Sequence, residues 1–224
     1  MTDPTAKKLA LITGASRGIG AATAELLAAA GWHVILTART ETELAQVDDR
    51  IHAAGGTATI APFDLADGDA IDRLGSAIGA RWGRLDALIL NAALLGTLAP
   101  VPHLNLKEWD KLVAINLTAN MRLIRAADPW LRQAPAAAVV AVTSSVATVP
   151  RAYWGGYAAT KAALENLVQT YGAEVGNISA IKTHIVDPGA TRTKMRASAY
   201  PGEDPARLKP PEDAAKLIVA AVTG

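Results

Sequence analysis

Tyr157 and Lys161 stand one helical turn apart in Tyr157-Ala158-Ala159-Thr160-Lys161, and an i,i+4 spacing puts both side chains on one helical face. A free tyrosine, with a pKa of about 10, exchanges protons poorly at neutral pH, but a neighbouring ammonium and a cofactor cation favour its phenolate. The pair can therefore serve as a tuned acid–base. Taken alone, such a pair is more often a lysine snorkelling beside a packed ring. A second constellation, Thr13-Gly14-Ala15-Ser16-Arg17-Gly18-Ile19-Gly20, places three glycines after an apolar run. Glycines there let the backbone approach a pyrophosphate closely and turn the free N–H groups of the next helix toward the phosphates. As a bare pattern they could make only a tight turn; their position after the first strand of a βαβ unit selects the dinucleotide reading. Arg17 lies within this turn and Arg39 ends the second strand, where an NAD-binding fold usually carries Asp or Glu for the ribose 2′-OH. Cations there suit a 2′-phosphate and favour NADP(H) over NAD. Asp64, just past the third strand, is placed either to accept from an adenine amino group or to cap the helix that follows.

These residues need a scaffold that gathers them, and the hydrophobic pattern supplies one. Short apolar runs at 9–13, 34–38, 57–61, 87–90, 137–143 and 180–186 alternate with helical patterns at 19–30, 41–53, 67–81, 107–131, 156–175 and from Glu212. Such alternation predicts an α/β, doubly wound Rossmann fold, a parallel sheet of about six strands wound by right-handed crossovers. No linker or repeat interrupts it, and residues 1–224 read as a single Rossmann-type domain. The one irregular stretch, 187–211, is rich in proline and glycine and leaves a strand's carboxyl end, where open α/β sheets bind ligands.

Composition narrows the classes. Half of the 224 residues are hydrophobic and only 4% aromatic, so the core rests on Ala, Val, Ile and Leu, as helices on a parallel sheet require. A net charge of +1 is too balanced for a protein that tracks phosphates along a nucleic acid. The chain has no cysteine, which rules out disulfides, thiolate metal sites and a Cys nucleophile and is compatible with a reducing, cytoplasmic setting. His33, His52, His103 and His184 show no metal-ligand spacing, so no metal is expected. Residues 1–8 lack the order of a secretory signal, and the most apolar stretch, 87–101, is broken by polar residues and falls short of the roughly 20 a spanning helix needs. A soluble chain is expected.

Further residues fall at strand ends or on bordering helices: Asn91-Ala92-Ala93, Asn116, Thr143-Ser144-Ser145 and Asp187-Pro188-Gly189. With the glycine turn and the Tyr/Lys pair, these make the chain resemble the short-chain dehydrogenase/reductase family from about Lys8 to Val219. The resemblance implies an oxidoreductase that moves a hydride between NADP(H) and a carbonyl or alcohol. Tyr157 would be the acid–base, Lys161 would lower its pKa and hold the nicotinamide ribose, a serine would polarise the substrate oxygen, and Asn116 would position a water in a proton relay. Ser145 precedes Tyr157 by 12 residues and Ser144 by 13; Ser145 is favoured because Ser145-Val146-Ala147 matches the run that usually follows the family's serine. Cofactor contacts are implied at Gly14, Ser16, Arg17, Gly18, Ile19, Gly20, Arg39, Asp64, Leu65, Asn91, Ala92, Tyr157, Lys161, Pro188, Gly189, Thr191 and Thr193.

The chain also departs from the family's pattern. Leu90 and Ala93 replace an Asn and a Gly around Asn91, and Asp187 stands where Asn or His is frequent. The family's seventh strand and glycine-rich tail are not expected after the last helix, which leaves one of two usual subunit contacts and predicts a homodimer through the long helices 107–131 and 156–175. Tyr153, Trp154, Met195, Leu94 and Leu95 are candidates to line a pocket for a small, largely apolar substrate, although such residues also commonly just pack. The run 191–201 resembles a loop in a poorly characterised bacterial branch of the family. Its three cations, Arg192, Lys194 and Arg196, suit an acidic substrate or the cofactor phosphates as well as plain solvation. A competing reading is a catalytically idle NADP-binding sensor or scaffold, against which the joint presence of Ser145, Tyr157, Lys161 and Asn116 argues.

Overall fold

The structure is a computed structural model that describes residues 7–224; the N-terminal stretch judged not to be a signal lies, up to residue 6, outside the described residues. Six parallel strands, β1 (Leu9–Thr13), β2 (His33–Thr37), β3 (Thr57–Ile60), β4 (Ala87–Leu90), β5 (Ala137–Val142) and β6 (Ile181–Val186), form one sheet in the order β3-β2-β1-β4-β5-β6. This is the doubly wound Rossmann order. The chain reverses direction of winding between β1 and β4, which pair in register through Ala10↔Ala87, Leu11↔Leu88 and Ile12↔Ile89. Their carboxyl ends therefore border the crevice where such folds bind ligands.

The central strands are buried on both faces, as their unbroken apolar runs dictate. Leu9, Leu11, Leu88, Leu90 and Val139 point into one core layer, against α3 (Gly68–Trp82), α5 (Ala119–Leu131) and α6 (Gly155–Val175). Ala10, Ile12, Ile89, Val140 and Val142 point into the other, against α1 (Gly18–Ala29), α2 (Glu41–Ala53) and α8 (Pro211–Thr223). Strand β6 closes the sheet on one side and pairs only with β5 among the described residues.

Three stretches differ from the sequence pattern. The helix expected over 107–131 begins at Leu106 and comprises α4 (Leu106–Val113) and α5, separated by a π-helical segment, Ala114–Thr118. A π-bulge adds a residue to the turn and changes which side chains face inward, something a 3.6-residue pattern does not reveal. The irregular stretch 187–211 contains a short helix, α7 (Lys194–Ala199), and its base is tied by a bridge between Thr191 and Lys209, with Arg192 N–H donating to the Lys209 carbonyl at 2.9 Å. Asp67 rather than Asp64 caps α3, accepting from Ala70 N at 3.0 Å. No helix among the described residues is long and apolar enough to cross a membrane.

Candidate active site

The turn after β1 is built around close backbone approach. Gly14 and Gly18 hold φ of +64° and +56°, a region L side chains rarely enter. A Cβ on Gly20 would sit 2.2 Å from the Gly14 carbonyl oxygen, so only glycine fits. Helix α1 then starts with no side-chain cap and no acidic residue in its first turn, which leaves its N–H groups and positive end free for an anion. This cradle fits a dinucleotide pyrophosphate.

Asn91 locks the turn in place. Its amide donates to the carbonyls of Thr13 (2.8 Å) and Gly14 (3.3 Å), while the Thr13 hydroxyl accepts from Asn91 N and Ala92 N, each at 3.0 Å, and donates to Ile89 O. The side chain expected to contact cofactor is thus committed to joining β1 to β4. Arg39 lies exposed just past β2, and Arg17, at the start of α1, forms a 3.3 Å ion pair with Glu43 on α2. Ser16, Ile19 and Leu65 are half-buried along the same strand ends. Asp64 is exposed and accepts from Ala66 N at 2.9 Å, making a turn rather than the helix cap.

Tyr157 and Lys161 lie on α6, 7% and 1% exposed. Lys161 Nζ donates to the Val142 carbonyl at 2.7 Å, which pins the lysine to the end of β5 and leaves its ammonium 5.7 Å from the centre of the Tyr157 ring. Burial pushes Lys161 down to about 8, offset in part by the Glu165 carboxylate one turn along. Burial also pushes Tyr157 up to about 12, and the Asp187 carboxylate adds to the rise. Within the protein itself, therefore, burial and the Asp187 carboxylate govern this phenol rather than the ammonium expected to lower it, and Tyr157 is held protonated.

Asn116 sits in the π-helical segment, fully buried. Its Oδ1 accepts from Leu94 N at 2.8 Å, and its Nδ2 donates to Leu94 O (2.9 Å) and to the Thr160 hydroxyl (3.0 Å), which in turn donates to the Tyr157 carbonyl. One amide thereby fixes the loop after β4 against the helix that carries Tyr157. Ser144 is half-buried in extended backbone, while Ser145 is exposed and opens a short turn, Ser145–Ala147.

On the far side, Asp187 accepts from Gly189 N at 2.8 Å and Gly189 holds φ of +63°, so this loop bends sharply after β6. Pro188 and Thr191 are buried, and the Thr191 hydroxyl donates back to the Gly189 carbonyl at 3.1 Å. Thr193 caps α7, accepting from Arg196 N, and its methyl lies 3.5 Å from where a Cβ on Gly18 would be. The two loops thus meet over the glycine turn.

Three features escaped the sequence reading. Glu165 accepts a short hydrogen bond from the Thr143 hydroxyl; the signal was present, since Tyr157, Lys161 and Glu165 share one i,i+4 face. Thr160 had none. The third is Tyr200, which joins the already named Trp154 beside Tyr157: Trp154 meets the Tyr157 ring edge-on at 6.0 Å and the Tyr200 ring at 5.8 Å. Tyr153, itself 60% exposed, adopts φ of +73° to make this turn, with its carbonyl accepting from Ala99 N.

Comparison with known proteins agrees with this geometry. Residues 8–204 match the family model for short chain dehydrogenases. Oxidoreductase YciK of Escherichia coli K12 is 36% identical over 215 residues, covering 95% of this chain and 84% of that protein. A short chain dehydrogenase structure from Pseudomonas syringae superposes with a TM-score of 0.94 at 36% identity, covering 99% of this chain and 94% of that one. One from Shigella flexneri, complexed with NADP, gives 0.92 at 36% identity, covering 96% and 90%. The chain belongs to the short-chain dehydrogenase/reductase family, oxidoreductases of alcohol and carbonyl groups.

Proposed function

We propose that this protein is an NADP(H)-dependent oxidoreductase of small, largely apolar carbonyl or alcohol substrates. The observation that carries the reading is the buried Tyr157–Lys161 pair together with a glycine cradle whose helix end bears no side-chain cap of its own. NADPH, when bound, supplies the hydride. Arg17 and Arg39 would meet its 2′-phosphate, an assignment in keeping with the NADP complex of the Shigella flexneri relative. Gly14, Gly18 and Gly20 would admit the pyrophosphate, with Thr193 above them.

The chain's own groups would then handle the proton. Tyr157, kept protonated by burial, donates to the alkoxide that forms as a carbonyl is reduced, and Ser145 holds the substrate oxygen by hydrogen bonding. Lys161 contributes the charge that eases the phenol's loss of its proton, and holds the nicotinamide ribose. Asn116 keeps the helix and the loop after β4 in register, and by resemblance to the family would position a water in the proton relay. An idle sensor would need none of this acid–base set. NADPH oxidation over a panel of ketones, aldehydes and diketones, alongside cofactor titration, tests the reading; tight binding without turnover across the panel would favour the sensor.

The proposal extends to a cytoplasmic two-fold homodimer through α4–α5 and α6. Light scattering at micromolar concentration should give a mass of two chains. A single-chain mass would remove the helix-mediated contact, and four chains would require a second one.

A further inference from the structure

Beyond the acid–base pair, the substrate side of the site carries a built group of rings and cations that the chemistry so far leaves unused. Trp154 stands between the rings of Tyr157 and Tyr200. Over it lies the Arg151 guanidinium, 5.5 Å from the ring centre, which also donates to the Tyr200 hydroxyl. A second guanidinium, Arg196, lies 3.8 Å from the Tyr200 ring centre.

The two cations differ in how their charge is met. Arg196 is spent on Glu203, with Nε and Nη2 donating to the two carboxylate oxygens at 2.5 and 2.6 Å. Arg151 pairs with no carboxylate among the described residues; its partners are a neutral hydroxyl and a ring face. It is exposed, so its charge and remaining donors stay available to a ligand. Tyr153, the residue before Trp154, is held at a positive φ, a cost of the kind that persists where a site requires it.

Resting on the oxidoreductase reading, we propose that the substrate is a ketone, or its alcohol, borne on a ring that carries a carboxylate away from the reacting carbon. The ring packs on Trp154, the carbonyl lies at Tyr157, and Arg151 takes the carboxylate one ring's width away. A planar fork that donates two parallel hydrogen bonds suits a carboxylate better than any neutral group. In the reductive direction the hydride reaches the carbonyl carbon, the C=O π pair moves to oxygen, that oxygen takes the Tyr157 proton, and solvent replaces it; the carboxylate is untouched.

The experiment uses 4-acetylbenzoate and its uncharged counterpart of the same shape, 4-acetylbenzamide. Calorimetric binding to the full chain saturated with NADP+, where no reduction takes place, should favour the acid by about tenfold or more. Arg151→Gln, which can still donate to Tyr200, should erase that preference while leaving amide binding unchanged, and Arg151→Lys should keep part of it. Tyr157→Phe should preserve the preference. Equal binding of acid and amide, or a preference that survives Arg151→Gln, would overturn the proposal. Equal loss of acid and amide binding in Arg151→Gln would overturn it too, making Arg151 a loop fastener. Reduction of neutral ketones alone would sink this inference and leave the oxidoreductase standing; selective acid binding without turnover of any ketone would sink the oxidoreductase and leave the carboxylate site.

Discussion

The glycine turn after β1 and the loop after β6 meet across the carboxyl ends of the strands, yet they are held by different means. On the cofactor side the restraint is backbone geometry: left-handed glycines, a contact that excludes any Cβ at Gly20, and an Asn91 amide that fastens the turn to β4. On the substrate side the restraint is side chains, namely contacting rings, guanidiniums and the Tyr200 hydroxyl, on loops that leave β5 and β6. The first kind admits almost no variation, because close approach to a phosphate leaves no room for a Cβ. The second can change residue by residue while the strands beneath stay put, which is how one fold serves many substrates.

If the two sides are separable, chemistry can be removed without disturbing the cradle. Tyr157→Phe deletes one hydroxyl, for which no hydrogen-bond partner is found among the described residues, so packing should survive. Turnover should fall by about 10²–10⁴, the usual loss for an acid–base group, while NADPH titrates as before. Weakened cofactor binding in this variant would show that the two sides are one unit.

The same difference explains what the sequence made legible. Six strands in the right order, the glycine turn and the Tyr/Lys pair can all be read because each rests on a local pattern: an apolar run, a backbone need, a helical spacing. Asn91 and Asn116 could be singled out by their place at a strand end and on a bordering helix, but not the bonds they make, since each amide bonds to backbone or hydroxyl groups far along the chain. The ring group was half visible. Trp154 could be named from its place beside Tyr157, whereas Tyr200 joins it only through the path of the loop after β6, which no periodicity encodes.

A smaller effect probes the cradle alone. NADPH should bind more tightly than NADH by about 1.5–3 kcal/mol, the scale of charge-assisted hydrogen bonds to the 2′-phosphate. Arg17 is shared with Glu43, whereas Arg39 has no carboxylate partner among the described residues, so Arg39→Ala should remove most of that preference and leave NADH binding unchanged. Titration of both cofactors into both proteins decides it. Equal affinities in the parent, or an unaltered preference in the variant, would refute the assignment.

The smallest effect concerns the residue that links the two sides. Lys161 is buried, bonded to the end of β5, and pushed down from the ordinary lysine value of 10.5 to about 8 by desolvation. It is charged below that pH and neutral above it, so reduction should fade as pH rises through about 8, while Tyr157, held up at about 12, keeps its proton throughout. Glu165 works against the desolvation, its negative charge favouring the ammonium. In Glu165→Gln the amide can still bond to Thr143, so the melting temperature should hold, but the opposing charge is gone and Lys161 loses its proton at lower pH. The alkaline limb of kcat/KM should move toward neutrality, with a loss of about two- to threefold at pH 8 and little change at pH 6. A limb that stays in place, with stability lost instead, would make Glu165 a packing residue and leave the charge of Lys161 governed by burial alone.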